Sequence, residues 1–290
     1  MRTILTAVAG SLLLSLFPSA AAPQQRPEAR PEPPRVRLQL LGGRDAIAPG
    51  DSFLVGLRYK LSPHWHIYWK NPGDSGLATE ATLEAPDGFE VGPLLFPGPM
   101  RLPQPGDLVN FGYEDEVVLF WTVTAPDELG DATVFRFEAR SKWLVCREEC
   151  ERGDGKAALT IPRSTQEHPG REVLEAFGAS LLRLPKPFMN LAGAEARWEG
   201  SPDEPVLVQV APATGLYRFY PELEEGVEFV RESVETLDER CFLRRWYSLR
   251  PTLDHPVPRV RGLLAVERKD GTAFYDLDLT RPRAHEKETR

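Results

Sequence analysis

Apolar and polar positions alternate along much of this chain. Phe53, Val55, Leu57 and Tyr59 are spaced two apart, with Leu54, Gly56, Arg58 and Lys60 between them. A repeat of two places each set on its own face of an extended strand, so this stretch predicts a strand with one buried face. Segments of the same kind recur at Val36–Leu41, Phe53–Leu61, Trp65–Trp69, Thr82–Ala85, Val117–Thr124, Thr133–Ala139, Trp143–Val145 and Ala157–Ile161. Many are short, β-branched or aromatic, and bounded by Pro, Gly or Asp, which is the pattern of an antiparallel sandwich over residues 35–165.

One segment departs from that pattern. Between Gly170 and Pro185, residues Val173, Leu174, Phe177, Leu181 and Leu182 recur at helical spacing, and Pro185 forbids continuation. A connecting helix is therefore expected within residues 166–185. Further strands are expected at Ala194–Trp198, Val206–Val210, Leu216–Tyr220, Cys241–Leu249, Val260–Glu267 and Ala273–Leu279, forming a second β-sandwich over 186–280. Arg268-Lys269-Asp270-Gly271 marks a hairpin between the last two, since Asp-Gly tolerates the positive φ angles of a tight reversing turn. Residues 281–290 are charged, hold no large apolar side chain and read as a disordered tail.

Composition narrows the choice of fold. Proline outnumbers glycine, 28 to 23, which punctuates the chain with turns and leaves little room for long helices. The fold class is accordingly mostly β, two sandwich domains joined by a short helix. Lys and Arg total 35 against 43 Asp and Glu, a formal charge of −8, so there is no basic footprint for a nucleic-acid backbone and nucleic acid is not an expected partner.

The first 22 residues have the three parts of a secretory signal: Arg2 as the charged start, an apolar run from Ile4 to Phe17, and the small residues Ser19 to Ala22 for cleavage. That run falls short of the roughly 20 residues that span a bilayer, and no other apolar stretch approaches that length. Export to the periplasm or outside the cell follows, with no membrane span in the mature chain. Residues 23–34, rich in proline and charge, read as a linker.

Three cysteines occur, Cys146, Cys150 and Cys241, too few for a disulfide framework. Cys146 and Cys150 leave the apolar strand Trp143–Val145 and flank a charged turn, Arg147-Glu148-Glu149. A three-residue loop can bring two cysteines into disulfide range. Closing so small a ring removes little chain entropy, which favours redox use over stapling. Three readings remain open from the residues: a structural bridge, a redox-active dithiol, or a metal-thiolate site. Arg147 favours a thiolate on Cys146 and Glu148 and Glu149 oppose it, so local charge does not choose the nucleophile.

Three ordered motifs add context: His64-Trp65-His66-Ile67-Tyr68-Trp69-Lys70-Asn71-Pro72-Gly73-Asp74-Ser75-Gly76, then Phe111-Gly112-Tyr113-Glu114-Asp115-Glu116, then Trp143-Leu144-Val145-Cys146 with Cys150. Together they resemble the exported N-terminal region of the DsbD and ScsB family of thiol:disulfide interchange proteins, ScsB-like members most closely. The resemblance is clear from about Val36 to Ile161 and weaker to about Leu279. It implies an immunoglobulin-like sandwich and a thiol-disulfide oxidoreductase module whose Cys146/Cys150 dithiol relays electrons to thioredoxin-like periplasmic partners. It also implies that Phe111 and Tyr113 fall in a cap loop that shields the sulfurs. DsbD itself has a longer insert between its cysteines. A second departure is that these residues hold neither a membrane-spanning core nor a thioredoxin-like C-x-x-C, so the expected reductant is a separate membrane electron donor.

His64 and His66 share one strand face and could ligate a metal, but they also suit structural histidines in an aromatic segment. Copper is worth naming because the resemblance links ScsB-like proteins to copper tolerance; no cofactor or metal site is assigned. Asn71 to Gly76 reads as a tight turn. Most of the six tryptophans read as core rather than sugar-stacking platforms. Cys241 reads as a buried free thiol. The rival function is a non-enzymatic interaction module whose bridge is only structural.

Overall fold

A computed structural model describes residues 34–165, 169–200, 205–222, 227–249 and 259–280. The expected signal peptide, all but the last residue of the linker, and the charged tail lie outside the described residues. Ten strands come first: β1 (Val36–Gly42), β2 (Ser52–Leu61), β3 (His66–Gly73), β4 (Glu80–Glu84), β5 (Glu90–Val91), β6 (Met100–Gln104), β7 (Leu108–Glu114), β8 (Glu116–Thr124), β9 (Val134–Cys146) and β10 (Cys150–Pro162). They form two facing antiparallel sheets. One has the order β1-β2-β8-β5 and the other β10-β9-β3-β7-β6, with β4 also paired to β9. This is an immunoglobulin-like sandwich, built as the alternating pattern requires. Phe53, Val55, Leu57 and Tyr59 of β2 are all buried, facing Phe137, Ala139 and Trp143 of β9 within one cluster.

Strand β9 organises the second sheet. Along one side it pairs with β10 over its whole length. Along the other, its residues 138–142 pair with β4 and its last two, Val145 and Cys146, pair with β3. The sequence reading divides this strand in two, at Thr133–Ala139 and Trp143–Val145. The polar side chains of Arg140 and Lys142 break the apolar run without breaking the strand, because they face outward while Ser141 faces inward. Ser141 satisfies its hydroxyl there by bonding Tyr59 Oη at 2.6 Å and Glu80 O at 2.7 Å.

The connecting segment is shorter than its apolar spacing suggests. A single 3₁₀ turn covers Leu174–Phe177 and one α-helical turn, α1, covers Ala179–Leu182. Gly178 separates them with φ 56°, a left-handed angle that interrupts a helix and that glycine adopts without a Cβ penalty. The break lets Phe177 turn down onto the outer face of the first sheet, where it packs edge-on against Phe120 at 5.1 Å. A Cβ on Gly56 would lie 2.9 Å from that ring, so the small residue opposite is what admits it.

Eight further strands follow: β11 (Lys186–Pro187), β12 (Glu195–Gly200), β13 (Pro205–Pro212), β14 (Leu216–Pro221), β15 (Val227–Leu237), β16 (Arg240–Leu249), β17 (Arg259–Arg268) and β18 (Gly271–Thr280). They make a second pair of sheets, β11-β18-β17-β14 and β12-β13-β16-β15. In the β17–β18 hairpin Arg268 pairs with Gly271, and the positive φ falls on Gly271 alone, at 138°, rather than on Asp270 as well.

The two sandwiches share a continuous apolar cluster. Tyr220 of β14 packs against Phe111 at 5.2 Å, Phe274 at 6.2 Å and Trp69 at 6.4 Å. Polar contacts flank it: Asn71 Nδ2 donates to Pro221 O at 2.7 Å and Lys70 Nζ to Glu222 Oε1 at 2.5 Å. The second sandwich therefore grips the far end of β3, the strand whose near end pairs with Cys146.

Candidate functional site

Cys146 and Cys150 form a disulfide and are also the first cross-strand pair of the β9–β10 hairpin, with Cα atoms 4.1 Å apart. The turn between them is closed by Arg147 N donating to Glu149 O at 3.0 Å. Its side chain is anchored too: the Arg147 guanidinium lies 5.7 Å from the Trp65 ring centre, and Arg35 lies over the same indole at 4.8 Å. Cation–π stacking of this kind holds the hairpin tip against the body of the sandwich.

The two sulfurs differ in access. Cys146 is 3% exposed, whereas Cys150 is open to solvent. On the buried side, Tyr68 Oη donates a hydrogen bond to Cys146 Sγ at 3.1 Å. Burial pushes the Tyr68 phenol above its ordinary value, with a hydrogen bond to Asn110 acting in the opposite direction, so at neutral pH the group is a proton donor. A donor aimed at sulfur stabilises a thiolate more than a disulfide sulfur, because the bond becomes charge-assisted.

Tyr68 is itself roofed. After β3 the chain folds back so that Gly76, at φ 102°, lies on the Tyr68 ring; a Cβ there would come within 2.3 Å of Cε1. The loop is pinned on both sides. Ser75 donates to Asn110 Oδ1 from both N and Oγ at 3.0 Å, Val109 N donates to Asp74 Oδ2 at 2.7 Å, and Thr79 Oγ1 donates to Tyr68 O at 2.7 Å. The Asn71–Gly76 turn is also closed internally by Gly73 N donating to Asn71 Oδ1 at 3.0 Å. This turn has a task besides reversing the chain, since it seals the aromatic ring that touches the inner sulfur.

Phe111 and Tyr113 lie elsewhere. The segment expected as a cap loop is strand β7, paired on both edges with β3 and β6. Tyr113 pairs with Ile67 and shares its inward face, with its hydroxyl donating to Pro97 O at 2.6 Å. Phe111 faces Trp69 and Tyr220 at the seam between the sandwiches. The aromatic group in hydrogen-bond contact with Cys146 is Tyr68. It sits within the motif that carries the resemblance, but only the pairing of β3 with β9 reveals its position, and no spacing rule along the chain contains that register.

His66 lies opposite Cys146 in the β3–β9 pairing and is buried. Its ring meets Tyr68 edge-on at 5.3 Å, and burial lowers its pKa below the ordinary imidazole value. Among the described residues no three His, Cys, Asp or Glu side chains converge to hold a metal ion. Cys241 is buried in the second sandwich as a free thiol.

Comparison with known proteins places this geometry. No curated protein matches the chain in sequence. The N-terminal periplasmic domain of ScsB from Proteus mirabilis shares its fold, with a TM-score of 0.56, 12% identity, and coverage of 88% of this chain and 97% of that one. The E. coli chaperone DraB aligns over 84% of this chain and 99% of its own at 12% identity, but with a TM-score of only 0.21, too low to bear on the argument. The family described as thiol:disulfide interchange protein DsbD, N-terminal, matches residues 37–162. Residues 37–162, which carry the Cys146–Cys150 disulfide, are a DsbD/ScsB-like N-terminal domain.

Proposed function

We propose that the chain is an exported thiol-disulfide interchange module in which Cys150 meets the partner and Cys146 is the resolving sulfur. The observation that carries this reading is the asymmetry of the disulfide: one sulfur open to solvent, the other buried under a phenol that donates to it. Thiol-disulfide exchange needs a thiolate in line with the sulfur it attacks, and only Cys150 offers that line to a protein outside.

In the reducing direction, the Cys150 thiolate attacks a partner disulfide. A mixed disulfide forms and the partner's other sulfur leaves as thiolate. Cys146 then attacks Cys150 Sγ, re-forming Cys146–Cys150 and releasing the partner's second sulfur, so two electrons pass to the partner. Tyr68, donating to Cys146 Sγ, stabilises the thiolate as it forms in this step. The roof over Tyr68 keeps small oxidants from the inner sulfur, the shielding role that the resemblance implies for Phe111 and Tyr113. A groove of about 1040 Å³ lined by Leu77, Glu80, Lys142, Trp143, Arg152 and Lys156 runs along β9 and β10, its lining on β10 beginning two residues past Cys150, and offers a partner segment a seat. Family and fold support thioredoxin-like partners in the periplasm, and a membrane protein as the electron donor.

The decisive experiment is trapping. A Cys146→Ala variant should accumulate a mixed disulfide through Cys150 with a thioredoxin-like protein, while Cys150→Ala should trap none. If neither single variant traps anything and the couple lies far below roughly −300 mV, the bridge is structural and the chain is an interaction module.

A further inference from the structure

The disulfide belongs to a longer row. Cys150 pairs with Cys146, Cys146 with His66, and His66 with Glu114, directly opposite one another across β10, β9, β3 and β7. Directly opposed residues of antiparallel strands project to the same face with Cβ atoms about 4.5–5.5 Å apart. The neighbouring row confirms the phase, since Val145, Ile67 and Tyr113 are likewise aligned and all point into the core. Four side chains thus lie in line on the outer face: two sulfurs, an imidazole and a carboxylate.

Cys146 poses a chemical problem within the function proposed above, on which this inference rests. Cys146 is 3% exposed, and in the reduced protein its thiol is not itself the nucleophile, since only the thiolate attacks. The thiol must lose its proton to attack Cys150, and water has little access to take it. Tyr68 donates toward the sulfur and cannot serve as the acceptor. Of the groups that face His66, Cys146 comes from β9, Glu114 from β7 and Tyr68 from its own strand. His66 is 6% exposed, and its Nε2 is buried without a hydrogen-bond partner. A buried ring nitrogen with nothing bonded to it carries a cost that a structural histidine ordinarily avoids.

We infer that His66 is the base that takes the Cys146 proton in the resolving step, and that Glu114 acts as a positioning residue that favours the imidazolium so formed. The step balances. The Cys146 S–H bond breaks and its proton goes to imidazole nitrogen. The thiolate pair forms the bond to Cys150 Sγ, and the Cys150–partner bond breaks with its electron pair leaving on the partner sulfur. Cys146 is oxidised, the partner sulfur is reduced, and the proton passes from His66 to solvent. The arrangement is the nucleophile, base and orienting carboxylate of covalent catalysis, laid across three strands of one sheet.

The test uses the reduced full chain in a Cys241→Ala background, mixed with 5,5′-dithiobis(2-nitrobenzoate) in a stopped-flow instrument. Each molecule should release two thionitrobenzoate ions: a first as Cys150 attacks the reagent, a second as Cys146 attacks the resulting mixed disulfide. In the parent the second phase should be nearly level above about pH 6.5, since neutral imidazole is then available. His66→Gln should leave the first phase unchanged and slow the second by roughly 10- to 100-fold at pH 7. Its second phase should instead climb with pH toward the thiol's own titration. His66→Asn serves as a second variant should the first fold poorly, and Glu114→Gln should slow the second phase only a few-fold. Two levels of failure are distinct. No second release from the parent sinks the exchange reading itself. A normal second phase with an unaltered pH profile in both histidine variants overturns the role of His66 and leaves exchange standing.

Discussion

Cys146 and Cys241 are both buried, and each lies on a strand of a β-hairpin, yet their chemistry diverges. Across from Cys146 stands Cys150; across from Cys241 stand Thr236 on β15 and Ala211 on β13. The turns differ as well. Arg147–Glu149 is a three-residue loop, whereas Asp238 and Glu239 form a two-residue reversal with φ of 48° and 61°, the signs a type I′ hairpin needs. Polar surroundings complete the contrast. Near Cys241, Arg245 is buried but engaged, with Nε donating to Glu232 Oε2 at 2.6 Å and the guanidinium 4.2 Å from the Phe219 ring centre. Near Cys146, Tyr68 is aimed at sulfur and His66 keeps an uncommitted nitrogen. A cysteine's strand and burial thus say little about its role; the residue opposite and the direction of neighbouring donors decide it.

The strongest way to break this comparison is to remove the outer sulfur. Cys150→Ala should lower exchange with a thioredoxin-like disulfide by roughly 100-fold or more, measured by mixed-disulfide formation on a gel. Gly76→Ala attacks the roof instead. It places a methyl group on the Tyr68 ring in a left-handed backbone conformation and should cost roughly 1–3 kcal/mol in a urea melt. The same variant should expose Cys146, read as faster alkylation of the reduced protein.

Subtler changes sharpen the contrast. Tyr68→Phe keeps the ring and deletes the donor, which removes support for the Cys146 thiolate. The couple should become more reducing by about 30 mV, the equivalent of about 1.4 kcal/mol, in a glutathione titration. The pH dependence of stability follows from the lowered His66 pKa. The folded protein binds that proton less readily than the unfolded chain, so stability is fully present above about pH 6.5 and declines as pH falls through the folded value. His66→Gln should flatten this limb of a pH series of thermal melts. The smallest effect belongs to Cys241→Ala, which should leave exchange unchanged. Burial pushes the Cys241 thiol up, so at pH 8 iodoacetamide should label reduced Cys150 and reach Cys241 only after unfolding, as mass spectrometry would show.

Much of the fold was legible along the chain because its signals are local. The two-residue repeat of β2 and the Pro- and Gly-bounded segments require only neighbours, and they point to sandwiches. The expected helix was overestimated because Gly178 sits within an otherwise helical spacing, and the spacing says nothing about φ. The cap loop at Phe111–Glu116 is an expectation from the resemblance alone; the pairing partners β3 and β6, which make this segment strand β7, are supplied from elsewhere in the chain.

The same division holds at the site. Residues 146 and 150, their three-residue separation and their charged turn are determined by sequence alone, and with them the possibility of a small disulfide ring. Tertiary structure decided which sulfur faces solvent, which phenol reaches the other, and that an imidazole and a carboxylate stand in line with both. Those outcomes depend on the register between strands far apart in the chain, where a shift of one residue would turn every side chain to the opposite face.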